Sequence, residues 1–219
     1  MYLLEKAANN LAEKISAELN YDEDKKEVIA YGAYAILQIS ASILFVIVFG
    51  WLFGVLAQAL VVSLFGAALR RYTGGAHASS PSICIAVGTV VCIGFALLSE
   101  LTIFTNFWLV CTLVIVIHLS AFWLIHRLAP VASINKPISD KKRPKMKRGG
   151  MMTNAVYLII NVGIIAAAAM FNKPELLTYS VCIALGVLWQ VFSITHLGEI
   201  WLGALDRMLS FKRTTADHG

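Results

Sequence analysis

The stretch VIAYGAYAILQISASILFVIVFGWLFGVLAQALVVSLFGAAL, residues 28 to 69, contains no Asp, Glu, Lys or Arg. Its bounding charges are Glu27 and Arg70, and the 42 residues between them would extend about 63 Å as one continuous helix, twice the hydrocarbon thickness of a bilayer. The run must therefore fold back on itself, and the natural place for the reversal is Gly50-Trp51-Leu52-Phe53-Gly54. Four further gaps in charge, between Arg71 and Glu100, Glu100 and Arg127, Arg148 and Lys173, and Glu175 and Glu199, each suit one crossing of about 20 apolar residues. Six spans follow, at roughly residues 30–49, 53–69, 82–99, 107–125, 152–171 and 177–198. A lipid-facing barrel would need apolar and polar residues to alternate over segments of about ten residues, and no such alternation is present.

Composition agrees with this reading. The chain has 219 residues, 58% apolar and 14% charged, with a mean hydropathy of +0.74, whereas soluble domains carry about 25% charged residues. High hydropathy also excludes disorder, which requires the reverse balance. The expected fold class is an all-α integral membrane protein: six transmembrane helices plus an N-terminal amphipathic interfacial helix, forming a single domain over residues 1–219 with no internal repeat.

Charge distribution orients the chain. With six spans both termini share a side, and that side holds 17 of the 18 Lys and Arg residues; Lys173 alone is opposite. The bias towards the cytoplasm in basic residues predicts cytoplasmic termini, a cytoplasmic loop over 70–81 and another over 127–150. The first apolar run begins only after residue 27 and lacks a small-residue cleavage site, so no cleavable signal peptide is expected. Topology explains the net charge of +5, and nucleic acid is not an expected partner.

Three segments outside the spans carry pattern. In the N-terminal segment 1–27, Leu4, Ala8, Leu11, Ile15 and Leu19 recur at helical spacing against Glu5, Asn9, Glu13, Lys14 and Glu18. This is an amphipathic helix that either lies on the inner leaflet or packs on the cytoplasmic ends of the spans; Asp22-Glu23-Asp24 then reads as a solvated linker. The second segment runs from Arg70-Arg71-Tyr72-Thr73-Gly74-Gly75 through His77 to Ser80-Pro81-Ser82-Ile83-Cys84. Adjacent glycines permit a tight turn, and Ser80-Pro81 reads as an N-cap followed by proline at the first helical position. Cys84 then falls in the opening turn of the third span, where unpaired amides and the helix dipole favour a thiolate. On one continuous helix His77 and Cys84 would lie about 10.5 Å apart along the axis. The glycine and proline breaks allow His77 to fold back over the helix end as general base to the Cys84 nucleophile. No Asp, Glu or Asn lies in the loop to orient His77, so Ser79, Ser80, a backbone carbonyl or a distant residue serves, or the site is a dyad. The bland reading of the pair is a solvated histidine beside a small buried cysteine. The third segment is the basic loop, in which Lys141, Lys142, Arg143, Lys145, Lys147 and Arg148 precede Gly149-Gly150; a topology determinant touching anionic lipid is its simplest reading.

Other chemistry-bearing residues are read structurally. Cys92, Cys111 and Cys182 fall inside spans as small apolar residues, and no disulfide framework is expected. His118, His126 and His196 lie at differing depths without HExxH or CxxC, so no metal is expected. Trp51, Trp108, Trp123 and Trp201 suit interfacial belts, and Asn154, Asn161 and Gln190 suit contacts between helices better than a transport path.

Arg70, Gly74, Gly75, His77 and Cys84, placed between the second and third of six spans, resemble the accessory gene regulator B (AgrB) family of Gram-positive membrane cysteine endopeptidases. The likeness extends over nearly the whole chain, through Ala129-Pro130 and Asn135-Lys136-Pro137-Ile138 before the basic run. The resemblance implies an enzyme that cleaves the C-terminal tail of a quorum-sensing pro-peptide. Cys84 would form an acyl-thioester, with His77 as its base, and the peptide's own Cys or Ser would close a thiolactone or lactone autoinducing peptide. It also implies a substrate with an amphipathic leader and an acidic tail, no cofactor, a cell-membrane location and a homodimer. Arg70 and Arg71, with Gly74 and Gly75 shaping the loop, would then bind substrate or anchor the span, and the basic loop would capture the acidic tail. A non-enzymatic peptide transporter or a membrane scaffold is the alternative class.

Overall fold

Charged residues at the two ends of the long apolar run are themselves helical. Asp22 accepts a hydrogen bond from the Lys25 amide at 3.0 Å and caps a helix that starts at Glu23, seven residues before the expected span. Glu23 and Asp24 occupy its first turn, where the helix dipole favours negative charge. The acidic cluster is thus a helix start, not a linker. The computed structural model describes residues 2–75, 81–131 and 139–216. In chain order its helices are α1 (Tyr2–Leu19), α2 (Glu23–Leu52), α3 (Leu56–Thr73), α4 (Pro81–Ser99), α5 (Phe107–Leu128), α6 (Arg143–Met170), α7 (Leu176–Ser193) and α8 (His196–Ala216), with a 3-10 turn at Thr102–Thr105. Five of them, α2, α4, α5, α6 and α7, are long and apolar enough to cross a membrane. α3, which carries Gln58 and Arg70-Arg71, is not among these five, although it packs within the same bundle.

The reversal falls where two glycines allow it. Gly54 adopts φ +71, and its amide bonds to the Trp51 carbonyl at 3.1 Å while the Val55 amide reaches the Gly50 carbonyl at 2.8 Å. These two bonds satisfy carbonyls that the end of α2 would leave unpaired. Gly50 supplies clearance on the other arm, since a Cβ there would stand 3.1 Å from the Leu56 Cα. Asn20 (φ 50) and Asn172 (φ 52) end α1 and α6 in the same left-handed manner, with Tyr21 N–H to Ser16 O at 3.0 Å and Lys173 N–H to Ala168 O at 3.0 Å.

Two other boundaries differ from expectation for identifiable reasons. The basic run from Arg143 to Arg148 forms the first turns of α6, with Pro144 at its start, so only part of the 127–150 segment is loop. The sixth expected span stops at Ser193 instead of residue 198. Thr195 ends it by accepting the Gly198 amide on its hydroxyl at 3.1 Å, which caps the separate helix α8.

α7 is the centre of the bundle. It packs against α3, α4, α5 and α6, and every residue from Ser180 to Val187 is buried. A helix buried on all sides must carry apolar or small residues all round, as this one does. At its crossing with α3 the backbones nearly touch: a Cβ on Gly186 would lie 2.7 Å from the Val62 carbonyl oxygen, and one on Gly66 would lie 3.3 Å from the Gly186 oxygen. α2 lies at the periphery. Its buried residues are Ala33, Val46 and Gly50, while Val28, Ile36, Ile39, Leu44 and Val48 face outwards, as lipid contact requires. α1 packs on α2 through the small face Ala8, Ala12 and Ser16, leaving Leu11 and Leu19 exposed.

A buried polar chain ties α5, α6 and α7 together. The Asn154 Nδ2 donates to the His118 carbonyl at 3.1 Å, which turns its Oδ1 to accept from His118 Nδ1 at 2.8 Å. The imidazole is therefore the Nδ1–H tautomer, and its Nε2 accepts from Asn161 Nδ2 at 2.9 Å; Asn161 Oδ1 then accepts the Ser180 hydroxyl at 2.8 Å. Each donor meets an acceptor along the chain. Asn161→Leu orphans both His118 Nε2 and the Ser180 hydroxyl, and is expected to lower unfolding stability by about 1–3 kcal/mol. Ser180→Ala removes only the terminal member and should cost about 0.6 kcal/mol. Denaturant unfolding of the lipid-solubilised variants measures both, and equal effects would show that Asn161 is not the shared link between His118 and Ser180.

Candidate functional site

The site is built where α3 ends. Thr73 bends back to donate its hydroxyl to the Leu69 carbonyl at 3.2 Å, and the Gly74 amide bonds to the Arg70 carbonyl at 2.9 Å. The chain then leaves the helix through two glycines with positive φ, +68 at Gly74 and +138 at Gly75. Side-chain-bearing residues rarely take those angles. Space forbids a side chain as well: a Cβ on Gly74 would collide with the Val131 carbonyl oxygen, and one on Gly75 would stand 2.7 Å from the Ser193 hydroxyl.

Three other elements converge on this turn. Beyond α5, the cis Ala129-Pro130 peptide leads to Val131, whose amide bonds to the Thr73 carbonyl at 2.9 Å and which forms an isolated parallel bridge with Gly74. From α6, Gly149 and Gly150 admit the neighbouring end of α3. A Cβ on Gly149 would meet the Tyr72 ring 2.7 Å from Cε1, and one on Gly150 would lie 3.2 Å from the Thr73 methyl. From α7, the Gln190 carboxamide donates to the Thr73 hydroxyl at 2.8 Å and to the Gly74 carbonyl at 2.7 Å, while the Ser193 hydroxyl donates to the Gln190 carbonyl at 2.8 Å.

Cys84 lies in the first turn of α4, which begins at Pro81 as the proline predicts. It is a free, half-buried thiol. The half-buried guanidinium of Arg70 interacts electrostatically with Cys84, as does the Tyr34 hydroxyl of α2. Arg70 also runs close to the glycine turn, its Nη1 3.5 Å from where a Gly75 Cβ would stand. Arg70, Gly74, Gly75 and Cys84 are thereby brought to one end of the bundle. His77 belongs to residues 76–80 and lies outside the described residues, as do Ser79, Ser80 and the 132–138 segment that includes Asn135-Lys136-Pro137-Ile138.

The remaining cations have different surroundings. Arg71 is exposed and its guanidinium stacks over the Tyr72 ring at 5.9 Å. Lys141, Lys142, Arg143, Lys145 and Arg148 are exposed and Lys147 half-buried, with Arg143 Nε 3.4 Å from Asp140. Between the end of α5 and the start of α6 lies an open groove of about 580 Å³ lined by His126, Pro144, Lys147, Arg148, Met151, Met152 and Ala155. It joins basic residues at one end to an apolar floor.

Gln190 and Ser193 are the members that sequence reading does not assign to the site. The signal available was the single carboxamide in a mostly apolar α7, which the sequence reads as a contact between helices. Its partner is 117 residues away, beyond the reach of any local pattern.

Comparison with known proteins gives a consistent result. Residues 8–194 match the family described as Accessory gene regulator B. The chain is 36% identical over 209 residues to "Putative AgrB-like protein 2" of Clostridium perfringens (strain 13 / Type A), covering 93% of this chain and 97% of that relative. The same identity and coverage relate it to "Putative AgrB-like protein" of Clostridium perfringens (strain SM101 / Type A). No solved structure matches. The family match runs through α3, the glycine turn, Cys84 and α7 to the residue after Ser193, and the chain belongs to the accessory gene regulator B family.

Proposed function

We propose that this protein is a membrane cysteine endopeptidase that removes the C-terminal tail of a quorum-sensing pro-peptide and promotes closure of the remainder to a thiolactone or lactone. Membership of the family associates the chain with the processing of an autoinducing peptide. The observation that carries the finer reading is Cys84 in the opening turn of α4, with the Arg70 guanidinium interacting with it electrostatically and also reaching the turn too tight for side chains. A half-buried thiol with a cationic neighbour at a helix N-terminus is the environment in which cysteine acts as a nucleophile.

In this reading His77 takes the Cys84 proton, and the thiolate attacks the scissile carbonyl of the pro-peptide. As the carbon–nitrogen bond breaks, the proton passes to the departing amine, the tail leaves, and the leader remains as a thioester on Cys84. A side-chain thiol or hydroxyl of the peptide then attacks the thioester carbon, closing the ring, and its proton returns to the Cys84 sulfur. Exchange between thioesters is nearly isoenergetic while forming one from an amide is uphill, so removal of the tail drives the sequence. Positive charge at Arg70 and Arg71 suits substrate carboxylates, and the groove lined by Lys147 and Arg148 suits the acidic tail. The cations at this end of the bundle support a cytoplasmic location for it.

A transporter would direct polar groups along a path between helices. Here His118, Asn154, Asn161 and Ser180 are fully buried and spend their hydrogen bonds on one another, which favours the enzyme.

Mass spectrometry of the pro-peptide encoded beside this protein, incubated with the lipid-reconstituted chain, tests the reading. Wild type should release the tail and leave a trappable thioester on Cys84. Cys84→Ala should release none, and His77→Ala should be slower by about 10²- to 10⁴-fold. Equal processing by all three would overturn the assignment. Arg70→Gln should slow cleavage about tenfold, equivalent to about 1.4 kcal/mol of charge stabilisation; an unchanged rate would remove Arg70 from the site. Gly74→Ala should be inactive at any substrate concentration, because the alanine can reach neither the required φ nor the space beside Val131.

A further inference from the structure

Residues 190 to 193 of α7 include no acid, base or strong nucleophile, yet Gln190 bonds to Gly74 and Ser193 abuts Gly75. Gln190 is only 1% exposed, and it places both N–H bonds of one carboxamide on consecutive residues, one on the Thr73 hydroxyl and one on the Gly74 carbonyl. Two bonds from one planar group define a direction as well as a distance. Thr73 is held in turn by its own bond to Leu69, so the orientation of Gly74 is referred back to the body of α3. Through its backbone carbonyl Gln190 also fixes the Ser193 hydroxyl, which fills the space that a Gly75 side chain would need. Gln190 thus bears on both glycines from a different helix.

We propose that Gln190 is a positioning residue of the site, acting through the Thr73–Gly75 turn and not by contact with substrate. The inference rests on the peptidase reading for its catalytic meaning. Gln190 is not alone in holding α7 against α3, since the close approach of Gly186 to Val62 and Gly66 remains when the carboxamide is removed. Its loss therefore loosens the turn, which keeps its bonds from Val131 N–H to Thr73 O and Gly74 N–H to Arg70 O, while leaving the bundle intact.

Gln190→Glu keeps the shape but loses the two amide donors, and Gln190→Leu loses polarity as well. Both full-length variants are reconstituted in lipid and compared with wild type in three measurements: pro-peptide cleavage, alkylation of Cys84 by iodoacetamide across a pH series with the modified residue located by mass spectrometry, and thermal unfolding. The expected result is a fall in kcat of about tenfold or more with KM within about twofold, since the turn governs the reacting groups and not substrate capture. The alkylation profile of Cys84 should depart from wild type, with a rate at neutral pH at least about threefold different, and the loss of kcat should exceed any fall in the folded fraction at the assay temperature. An alkylation profile superimposed on wild type in both variants overturns the inference, as does a loss that tracks the unfolded fraction. If wild type cleaves no pro-peptide, the peptidase reading fails, and the substrate-free alkylation comparison alone decides whether Gln190 sets the turn beside Cys84.

Discussion

The closeness of α7 to α3 depends on there being no side chain at Gly186, whose missing Cβ would press on the Val62 carbonyl. Inside a bilayer the hydrophobic effect gives helices little reason to associate, so packing at short range and hydrogen bonds must do it. The Gly66–Gly186 crossing provides the first, and it brings α7 near enough for Gln190 to provide the second at the end of α3. Every later feature of the site inherits this geometry: Ser193 reaches Gly75 because α7 runs alongside α3 up to its last turn, and the Val131 connection closes over the same turn from the other side.

Polar groups in the bundle fall into two sets with opposite uses. The His118, Asn154, Asn161 and Ser180 chain is saturated, each member answering another, so it fixes the relative depth of α5, α6 and α7 and offers nothing to a ligand. At the Gly74 end, by contrast, Arg70, Cys84 and the exposed Arg71 surround a turn whose backbone is fixed from outside. Rigidity is supplied to the site by neighbours.

Charge spacing located the apolar segments but not the helix limits, because a helix can continue well beyond the hydrocarbon. Glu23 to Glu27 and Arg143 to Arg148 are helical although both are charged, and α7 stops early because Thr195 caps a new helix within a run that still reads as apolar. The reversal at Gly50 to Gly54 was legible since its cause is local: a left-handed residue and two capping bonds within five positions. At the site, the glycine pair and the placement of Cys84 after Pro81 were legible for the same reason, and the His77–Cys84 pairing rests on residues beyond those described. Gln190 was read as a contact between helices, which it is, but what it contacts is set by the three-dimensional crossing of α3 and α7.

The order of the chain gives this crossing a temporal meaning. α3 and Cys84 are made long before α7, and the bond from Gln190 to Thr73 closes a loop of 117 residues. Until the last of the apolar helices has entered the bundle, the turn before Cys84 lacks the two bonds from Gln190 and is held only by its bonds to Leu69, Arg70 and Val131. Biogenesis therefore acts as a built-in delay, in which the Cys84 thiol is inserted early but the turn at the end of α3 gains its α7 partner only when synthesis has passed residue 193.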